Sequence, residues 1–280
     1  MIAIQNLNFS YKKNKPIFRN LNLHLHAGHI YGLLGKNGAG KSTLLKNMVG
    51  LIYSDSGGIR ILGEDVKQRN PSLLREICFI QEELYLPNVS VEDFIKATAC
   101  FYPNFDKEYF YELFREFHIP TNQKLGGMSY GQKKKFVIAF GLATNTKIVV
   151  MDEPTNGLDI PSKAQFRKIL AGAMHADRVF IISTHQVRDL ENLIDAVIVL
   201  DQHQIVLNES IESISNCLHF KRVLDLTPDI LYAEKGIGGY NAISSNVDYE
   251  DSRVDLELLF NATIEKGENI TKQFIKARHE

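Results

Sequence analysis

Residues 35–42 read Gly35-Lys36-Asn37-Gly38-Ala39-Gly40-Lys41-Ser42 and fit the pattern G-x-x-x-x-G-K-[S/T]. Glycines let the backbone curl so that several N–H groups point inward at phosphate oxygens, and a helix that begins here adds the positive end of its dipole. We expect Lys41 to reach the β- and γ-phosphates, Ser42 to offer its hydroxyl to Mg²⁺, and Thr43 to lie near the α-phosphate. The stretch therefore predicts a nucleotide site at a strand-to-helix turn.

A second segment supplies the carboxylates that such a site needs. The apolar run Ile148-Val149-Val150-Met151 ends in Asp152 and Glu153. Ligands of open α/β sheets bind at the carboxyl ends of strands, so we expect both side chains near the phosphates. Asp152 would hold Mg²⁺ through water, and Glu153 would polarise the attacking water. Alone, an apolar strand followed by an acidic turn is common, so this assignment depends on the phosphate motif upstream.

Hydrophobic patterning predicts an α/β fold. Apolar residues alternate along two N-terminal strands, at Ile2, Ile4 and Leu7 and again at Leu21, Leu23 and Leu25. Short apolar strands at 147–151, 178–183 and 195–200, with a helix over 162–175, predict a parallel sheet covered by helices. We expect a helical subdomain over about residues 85–143.

The chain after residue 210 differs in composition and is richer in acidic than in basic side chains. We expect residues 1–210 to form one nucleotide-binding domain and residues 211–280 a small α+β extension. Alternation at Val254, Leu256 and Leu258 predicts a strand, and Glu268–Ala277 predicts a terminal helix. A simple packing extension or dimer strut is the favoured role, with a small-molecule sensor as the alternative.

Composition excludes several classes of protein. The 280 residues carry a net charge of −1, which argues against a general nucleic-acid partner because such proteins present a basic surface. The short basic run Lys133-Lys134-Lys135 is interpreted as a solvated helix face. No apolar stretch is long enough to span a membrane, so a membrane function would need a second chain.

Cysteine usage and the N-terminus point to the compartment. The three cysteines, Cys78, Cys100 and Cys217, are odd in number and form no C-x-x-C pair, as expected for core residues in a reducing cytosol. The N-terminal residues lack the basic and apolar regions of a signal peptide. We therefore expect a cytoplasmic protein.

Further motifs occur in an order that resembles the nucleotide-binding domain of ABC ATPases over about residues 1–210. Met128-Ser129-Tyr130-Gly131-Gln132 is similar to the family signature L-S-G-G-Q, and Gln81, after an apolar strand, matches the Q-loop glutamine. The remaining matches are the D-loop Gly157-Leu158-Asp159, the switch histidine His185, and Tyr11 at the position of an aromatic that stacks on adenine. The resemblance implies a P-loop fold with an N-terminal antiparallel β subdomain, a parallel core and a helical subdomain.

The resemblance also implies how the parts work. Two such domains pair head to tail, so this chain would need a second copy or a sister subunit. Ser129, Gly131 and Gln132 would then contact the ATP bound to the opposite subunit, and Asp159 would bridge the two sites. His185 would hold the γ-phosphate, and Gln81 would sense Mg²⁺ and water on a loop that faces the membrane partner.

One position departs from the family pattern and one phrase narrows the function. Tyr130 stands where the signature has a small residue, so a bulky ring crowds that loop. The segment Phe101–Asp106 resembles a local feature of some bacterial export ATPases. We expect the ATPase subunit of an exporter with a separate polytopic permease, peripheral on the inner face of the membrane. An importer ATPase and a soluble iron–sulfur assembly partner are the alternatives.

Overall fold

The computed structural model describes residues 1–12, 15–120, 123–247 and 250–277. An antiparallel sheet with the strand order β2-β1-β4-β5 begins the chain. Its strands are β1 Ile2–Lys12, β2 Lys15–Leu25, β4 Ser56–Ile61 and β5 Glu64–Asp65. In β1 and β2 the predicted apolar residues pair across the strands and are buried, for example Ile2 with Leu25 and Ile4 with Leu23. This alternation gives the sheet one apolar face, which packs on the second sheet.

The second sheet has six strands in the order β10-β9-β3-β8-β7-β6. The strands are β3 His29–Leu34, β6 Ile77–Ile80, β7 Ile148–Asp152, β8 Val179–Thr184, β9 Ala196–Asp201 and β10 Gln204–Ser210. All neighbours are parallel except β9 and β10, which form an antiparallel hairpin. Because β3, β7 and β8 run side by side in the same direction, the segments that follow them meet at one edge of the sheet.

Helices cover the parallel sheet, as predicted. They are α1 Lys41–Met48 after β3, α2 Pro71–Leu74 before β6, and α6 Ile160–Gly172 between β7 and β8. The helical region between β6 and β7 contains α3 Val91–Thr98, α4 Lys107–Glu116 and α5 Tyr130–Ala143. Its interior is aromatic: the rings of Phe94 and Phe136 meet edge to face at 5.2 Å.

The last part of the chain holds a three-stranded antiparallel sheet and two helices. These elements are α7 Ile211–Cys217, β11 Leu218–Val223, β12 Ile230–Gly236, β13 Gly239–Ser245 and α8 Leu256–Ala277. Their buried residues, such as Ile243 and Leu259, join the core that lies on the same side of the parallel sheet as α5. The α/β fold class with a small α+β part is confirmed, whereas a domain boundary at residue 210 stays a prediction.

The predicted strand through Val254, Leu256 and Leu258 is wrong, because α8 begins at Leu256. Asp255 caps this helix: its Oδ1 atom accepts the N–H groups of Glu257 and Leu258, each at 3.0 Å. The predicted terminal helix is the second half of α8, after a kink at Lys266. Within the described residues, no helix is long and apolar enough to cross a membrane.

Candidate functional site

The phosphate motif forms the turn between β3 and α1. Gly38 and Gly40 have φ angles of 80° and 107°, a region that favours glycine. A Cβ on Gly40 would also lie 2.9 Å from Cγ2 of Ile17. The loop thus requires glycine for conformation and for space, and it ends where the free N–H groups of α1 begin.

Lys41 is folded back into this turn. It is 7% exposed, and its Nζ atom donates to the carbonyl oxygen of Gly35 at 2.7 Å. Burial lowers the pKa of the ammonium, and the nearby carboxylates of Glu153, Asp152 and Glu82 oppose that shift. The loop therefore holds one buried cation, which suits it to bind a polyanion, and several acidic groups lie nearby.

An open cavity of about 380 Å³ lies beside Lys41. Eight predicted site residues line it: Asn37, Gly38, Gly40, Lys41, Ser42, Thr43, Glu153 and His185. Ala39 instead lines an adjoining cavity of about 230 Å³ on the other side of the loop. Two cavity residues, Ile17 and Glu82, have no signal in the sequence that marks them as site residues.

Asp152 is placed by the neighbouring strand. It is 3% exposed at the end of β7, and the hydroxyl of Ser183 on β8 donates to its Oδ1 atom at 2.6 Å. The same hydroxyl accepts the N–H of Glu153 at 3.1 Å. Sequence reasoning missed Ser183, because its role depends on β7 and β8 being neighbours in the sheet. The second oxygen of Asp152 is left for other partners, such as a hydrated cation.

Glu153 and His185 form an ion-pair contact at the cavity wall. The Oε1 atom of Glu153 lies 2.9 Å from Nδ1 of His185. Burial raises the pKa of the Glu153 carboxyl, while His185 and Lys41 oppose the shift. The φ angle of Glu153 is 46°, which is rare for a residue with a side chain and is typical of functional sites. Its Oε2 atom is buried and has no hydrogen-bond partner in the described structure.

The glutamine predicted for the Q-loop lies just outside the cavity. Gln81 follows β6 directly, is exposed, and is not among the described residues that line the cavity. The next residue, Glu82, lines it instead, and Oε1 of Glu82 accepts the side-chain N–H of Asn156 at 3.0 Å. The roles of Gln81 in catalysis and metal binding stay predictions.

Tyr11 lies beside the turn between β3 and α1, whereas the signature residues do not line the cavity at that turn. The hydroxyl of Tyr11 lies 3.3 Å from Oγ1 of Thr43, and the ring is more than half exposed. Ser129 caps α5 through a reciprocal pair of hydrogen bonds with Gln132. The structure places Ser129, Gly131, Gln132 and Asp159 away from the described lining of the cavity beside Lys41.

Asp159 caps α6 on the turn that follows β7. Its Oδ1 atom accepts the N–H of Ser162 at 2.9 Å, and this bonding to Ser162 lowers the pKa of the carboxyl. A Cβ on Gly131 would lie 3.2 Å from the carbonyl oxygen of Gly157. The signature turn and the turn after β7 are therefore direct neighbours within one chain.

Known proteins resemble this chain in sequence and in fold. A family model described as ABC transporter matches residues 18–156. The chain is 32% identical over 220 residues to the lantibiotic transport ATP-binding protein SrtF of Streptococcus pyogenes, covering 77% of this chain and 93% of that protein. It is 28% identical over 221 residues to the leukotoxin export ATP-binding protein LtxB of Aggregatibacter actinomycetemcomitans, of which it spans only 30%.

The fold has a counterpart among solved structures. The ATP-binding cassette MJ0796, in a dimeric post-hydrolysis state bound to ADP and phosphate, superposes with a TM-score of 0.66 at 20% identity. The match covers 75% of this chain and 98% of that one. At this identity the likeness concerns the fold alone, and about a quarter of this chain lies outside it.

Proposed function

This chain belongs to the ABC transporter ATP-binding proteins and is an ATPase of that family, and from that premise we propose that it drives an exporter whose membrane part is a separate chain. One observation carries the proposal: Lys41 and the Glu153–His185 pair line a single cavity at the carboxyl edge of the parallel sheet. Relatives whose names state lantibiotic transport and leukotoxin export support the export direction.

Binding of ATP uses the turn between β3 and α1. The backbone of residues 37–40 surrounds the phosphates, and Lys41 turns from the Gly35 carbonyl oxygen to the β- and γ-phosphate oxygens. Tyr11, at the rim beside Thr43, offers its exposed ring to the adenine. Because the described cavity is open, the nucleotide enters without unfolding any element.

The residues present also fit Mg²⁺, which would neutralise phosphate charge when it is bound. Ser42 supplies a hydroxyl, and Asp152 supplies a carboxylate whose orientation Ser183 fixes at 2.6 Å. The Oε2 atom of Glu153, which is buried without a hydrogen-bond partner in the described structure, supports this assignment because it could accept from a water molecule. Hard oxygen groups of this kind are those that Mg²⁺ prefers in proteins.

Hydrolysis is assigned to Glu153 and His185. Water attacks the γ-phosphorus, the bond from that phosphorus to the β,γ-bridging oxygen breaks, and the products are ADP and inorganic phosphate. Glu153 accepts the water proton, a role favoured by its raised pKa. With Nδ1 of His185 facing Glu153, Nε2, which lies 3.4 Å from the side-chain nitrogen of Gln186, is the ring atom that would contact the γ-phosphate.

A complete site needs a second subunit. Ser129, Gly131, Gln132 and Asp159 lie away from the cavity beside Lys41, so in this proposal they serve the nucleotide on the partner. The N-terminus of α5 beside Ser129 attracts that γ-phosphate. Hydrolysis severs the γ-phosphate that bridges the two subunits, and the pair opens when that phosphate leaves. The opening of the two subunits is transmitted to the permease on the inner face of the membrane.

Co-purification tests the transport assignment. Affinity-tagged chain, extracted from its native cells in mild detergent, is expected to bring down a polytopic membrane protein in about equal amount. Soluble partners alone would contradict the transport role and favour an iron–sulfur assembly function. Vesicles containing the isolated complex should move substrate away from the side on which ATP is bound. Movement toward that side would instead identify an importer.

A further inference from the structure

Tyr130 lies against the turn that follows β7. A Cβ added to Gly157 would stand 2.5 Å from both Cδ1 and Cε1 of the Tyr130 ring, so the ring covers this glycine directly. Gly157 also has a φ angle of 80°. The ring thus occupies the space that a side chain at position 157 would use, and it connects this turn to the start of α5.

The same tyrosine reaches the loop after β6. Its hydroxyl donates to the carbonyl oxygen of Glu82 at 3.0 Å. Lys134, one turn further along α5, donates to the same oxygen at 3.2 Å and to the carbonyl oxygen of Gln81 at 3.5 Å. Two residues of one helix therefore hold two successive carbonyl groups of a loop that lies about 50 positions earlier in the chain.

Lys134 is not on a solvated helix face, which corrects the expectation for the run Lys133–Lys135. Its side chain is 0% exposed, and burial lowers the pKa of its ammonium. The carboxylates of Glu82, Asp152 and Glu153 oppose that shift, so they lie close enough to attract the charge. A buried cation is costly unless it is paired, and here its attraction is to the acidic groups of the site.

The loop held in this way carries a cavity residue. Glu82 faces the cavity beside Lys41, and its Oε1 atom accepts from Asn156 on the turn after β7. Asn156 in turn donates its backbone N–H to the carbonyl oxygen of Glu153 at 3.3 Å. Contacts thus run from α5 to both loops that flank the catalytic glutamate.

We propose that Tyr130 and Lys134 are positioning residues for ATP hydrolysis, which fasten the loop after β6 and the turn after β7 to α5. The inference rests on the proposed function of Glu153. Loss of either contact lets Glu82 and the turn after β7 shift relative to Glu153, while the phosphate turn at Lys41 stays intact. Hydrolysis requires the base to be placed accurately, whereas nucleotide binding does not. We therefore expect loss of these contacts to lower kcat and to leave the affinity for ATP nearly unchanged.

Steady-state kinetics of the purified full chain test this inference. Tyr130→Gly and Lys134→Met are expected to lower kcat by about tenfold or more, while KM for ATP stays within about twofold. Tyr130→Phe, which keeps the ring but loses the hydroxyl, should fall between wild type and Tyr130→Gly. Lys133→Met is the matched control, because Lys133 precedes Lys134 on the same helix and is partly exposed; its kcat should equal that of wild type.

The possible outcomes distinguish a failure of this inference from a failure of the proposed function. Wild-type kcat in folded Tyr130→Gly, with thermal unfolding used to verify folding, would overturn the positioning role. An equal loss in Lys133→Met would overturn it too, since any change in the helix would then suffice. If Lys134→Met does not fold, Tyr130→Gly and Tyr130→Phe decide the matter. If wild-type chain releases no phosphate while binding ATP, the proposed function fails instead.

Discussion

The Oε1 atom of Glu153 lies 2.9 Å from Nδ1 of His185, although the two residues belong to segments that follow different strands. The contact exists because β7 and β8 are parallel neighbours and end at the same edge of the sheet. It orients the histidine ring and places a strained, buried carboxylate on the cavity beside Lys41. The pairing of two buried apolar strands thus brings these two side chains together at one cavity.

The raised pKa of Glu153 predicts how its stability cost depends on pH. Burial disfavours the ionised carboxyl, so the folded state binds its proton more tightly than the unfolded chain does. The cost is therefore present above the folded-state pKa and absent below the unfolded one. Glu153→Gln is expected to raise the free energy of unfolding at pH 8, with the gain shrinking as pH falls through the raised pKa. Urea unfolding at several pH values measures it; a gain independent of pH would contradict the prediction.

Lys41 is predicted to dominate nucleotide affinity. Lys41→Met removes the buried cation that donates to the carbonyl oxygen of Gly35 and lines the cavity proposed to bind the phosphates. Loss of a charge-assisted bond of about 1.5–3 kcal/mol should weaken binding of a non-hydrolysable ATP analogue at least tenfold. Lys36→Met, at an exposed position of the same turn, is the control and should bind as wild type does. Equal affinities of all three proteins in calorimetry would refute the assigned role.

Ser183 is predicted to act through Asp152. Ser183→Ala removes the donor at 2.6 Å from Oδ1 of Asp152 and the acceptor for the N–H of Glu153. Groups that orient a metal ligand commonly affect metal affinity by about 10–100-fold. Titration of Mg²⁺ into the complex with an ATP analogue should therefore show about tenfold weaker binding. Unchanged Mg²⁺ affinity would mean that Asp152 needs no support from β8.

Gly157 is predicted to be intolerant of a side chain because of Tyr130. Gly157→Ala places a Cβ at 2.5 Å from the ring and at a φ angle of 80°, and it should lower the free energy of unfolding by about 2–4 kcal/mol. In a Tyr130→Gly background only the backbone strain remains, so the loss should fall to about 1 kcal/mol. Gly63→Ala is the control for strain alone, since its φ is 86° and nothing lies within 4 Å of the added atom. Identical losses from Gly157→Ala in both backgrounds would exclude the ring contact.

Local geometry could be predicted from the sequence where the residues concerned are consecutive in the chain. The phosphate turn and the Asp152-Glu153 pair are runs of consecutive residues whose types dictate their geometry. Their meeting at one edge followed from the alternation of strands and helices, because parallel strands share a direction. The fold class was predictable for the same reason.

The contributions of Ser183, Glu82 and Lys134 could not be predicted, since each depends on which segments become neighbours. Lys134 lies in a run of three lysines that has no internal sign of burial, yet the loop after β6 covers it. The strand predicted through Val254, Leu256 and Leu258 is wrong because Val254 precedes α8, whereas Leu256 and Leu258 lie in the first turn of that helix, where both are buried. The side chain of Asp255 caps the N-terminus of this helix.

Release of inorganic phosphate by the purified chain with Mg²⁺ and ATP tests the central claim most directly. The wild type is expected to turn over with a rate that rises with subunit concentration, because the proposed site takes its signature residues from a second subunit. Glu153→Gln should lose at least about a hundredfold of that rate while still binding ATP. Glu153→Gln hydrolysing ATP as fast as wild type would contradict the assignment of the catalytic base.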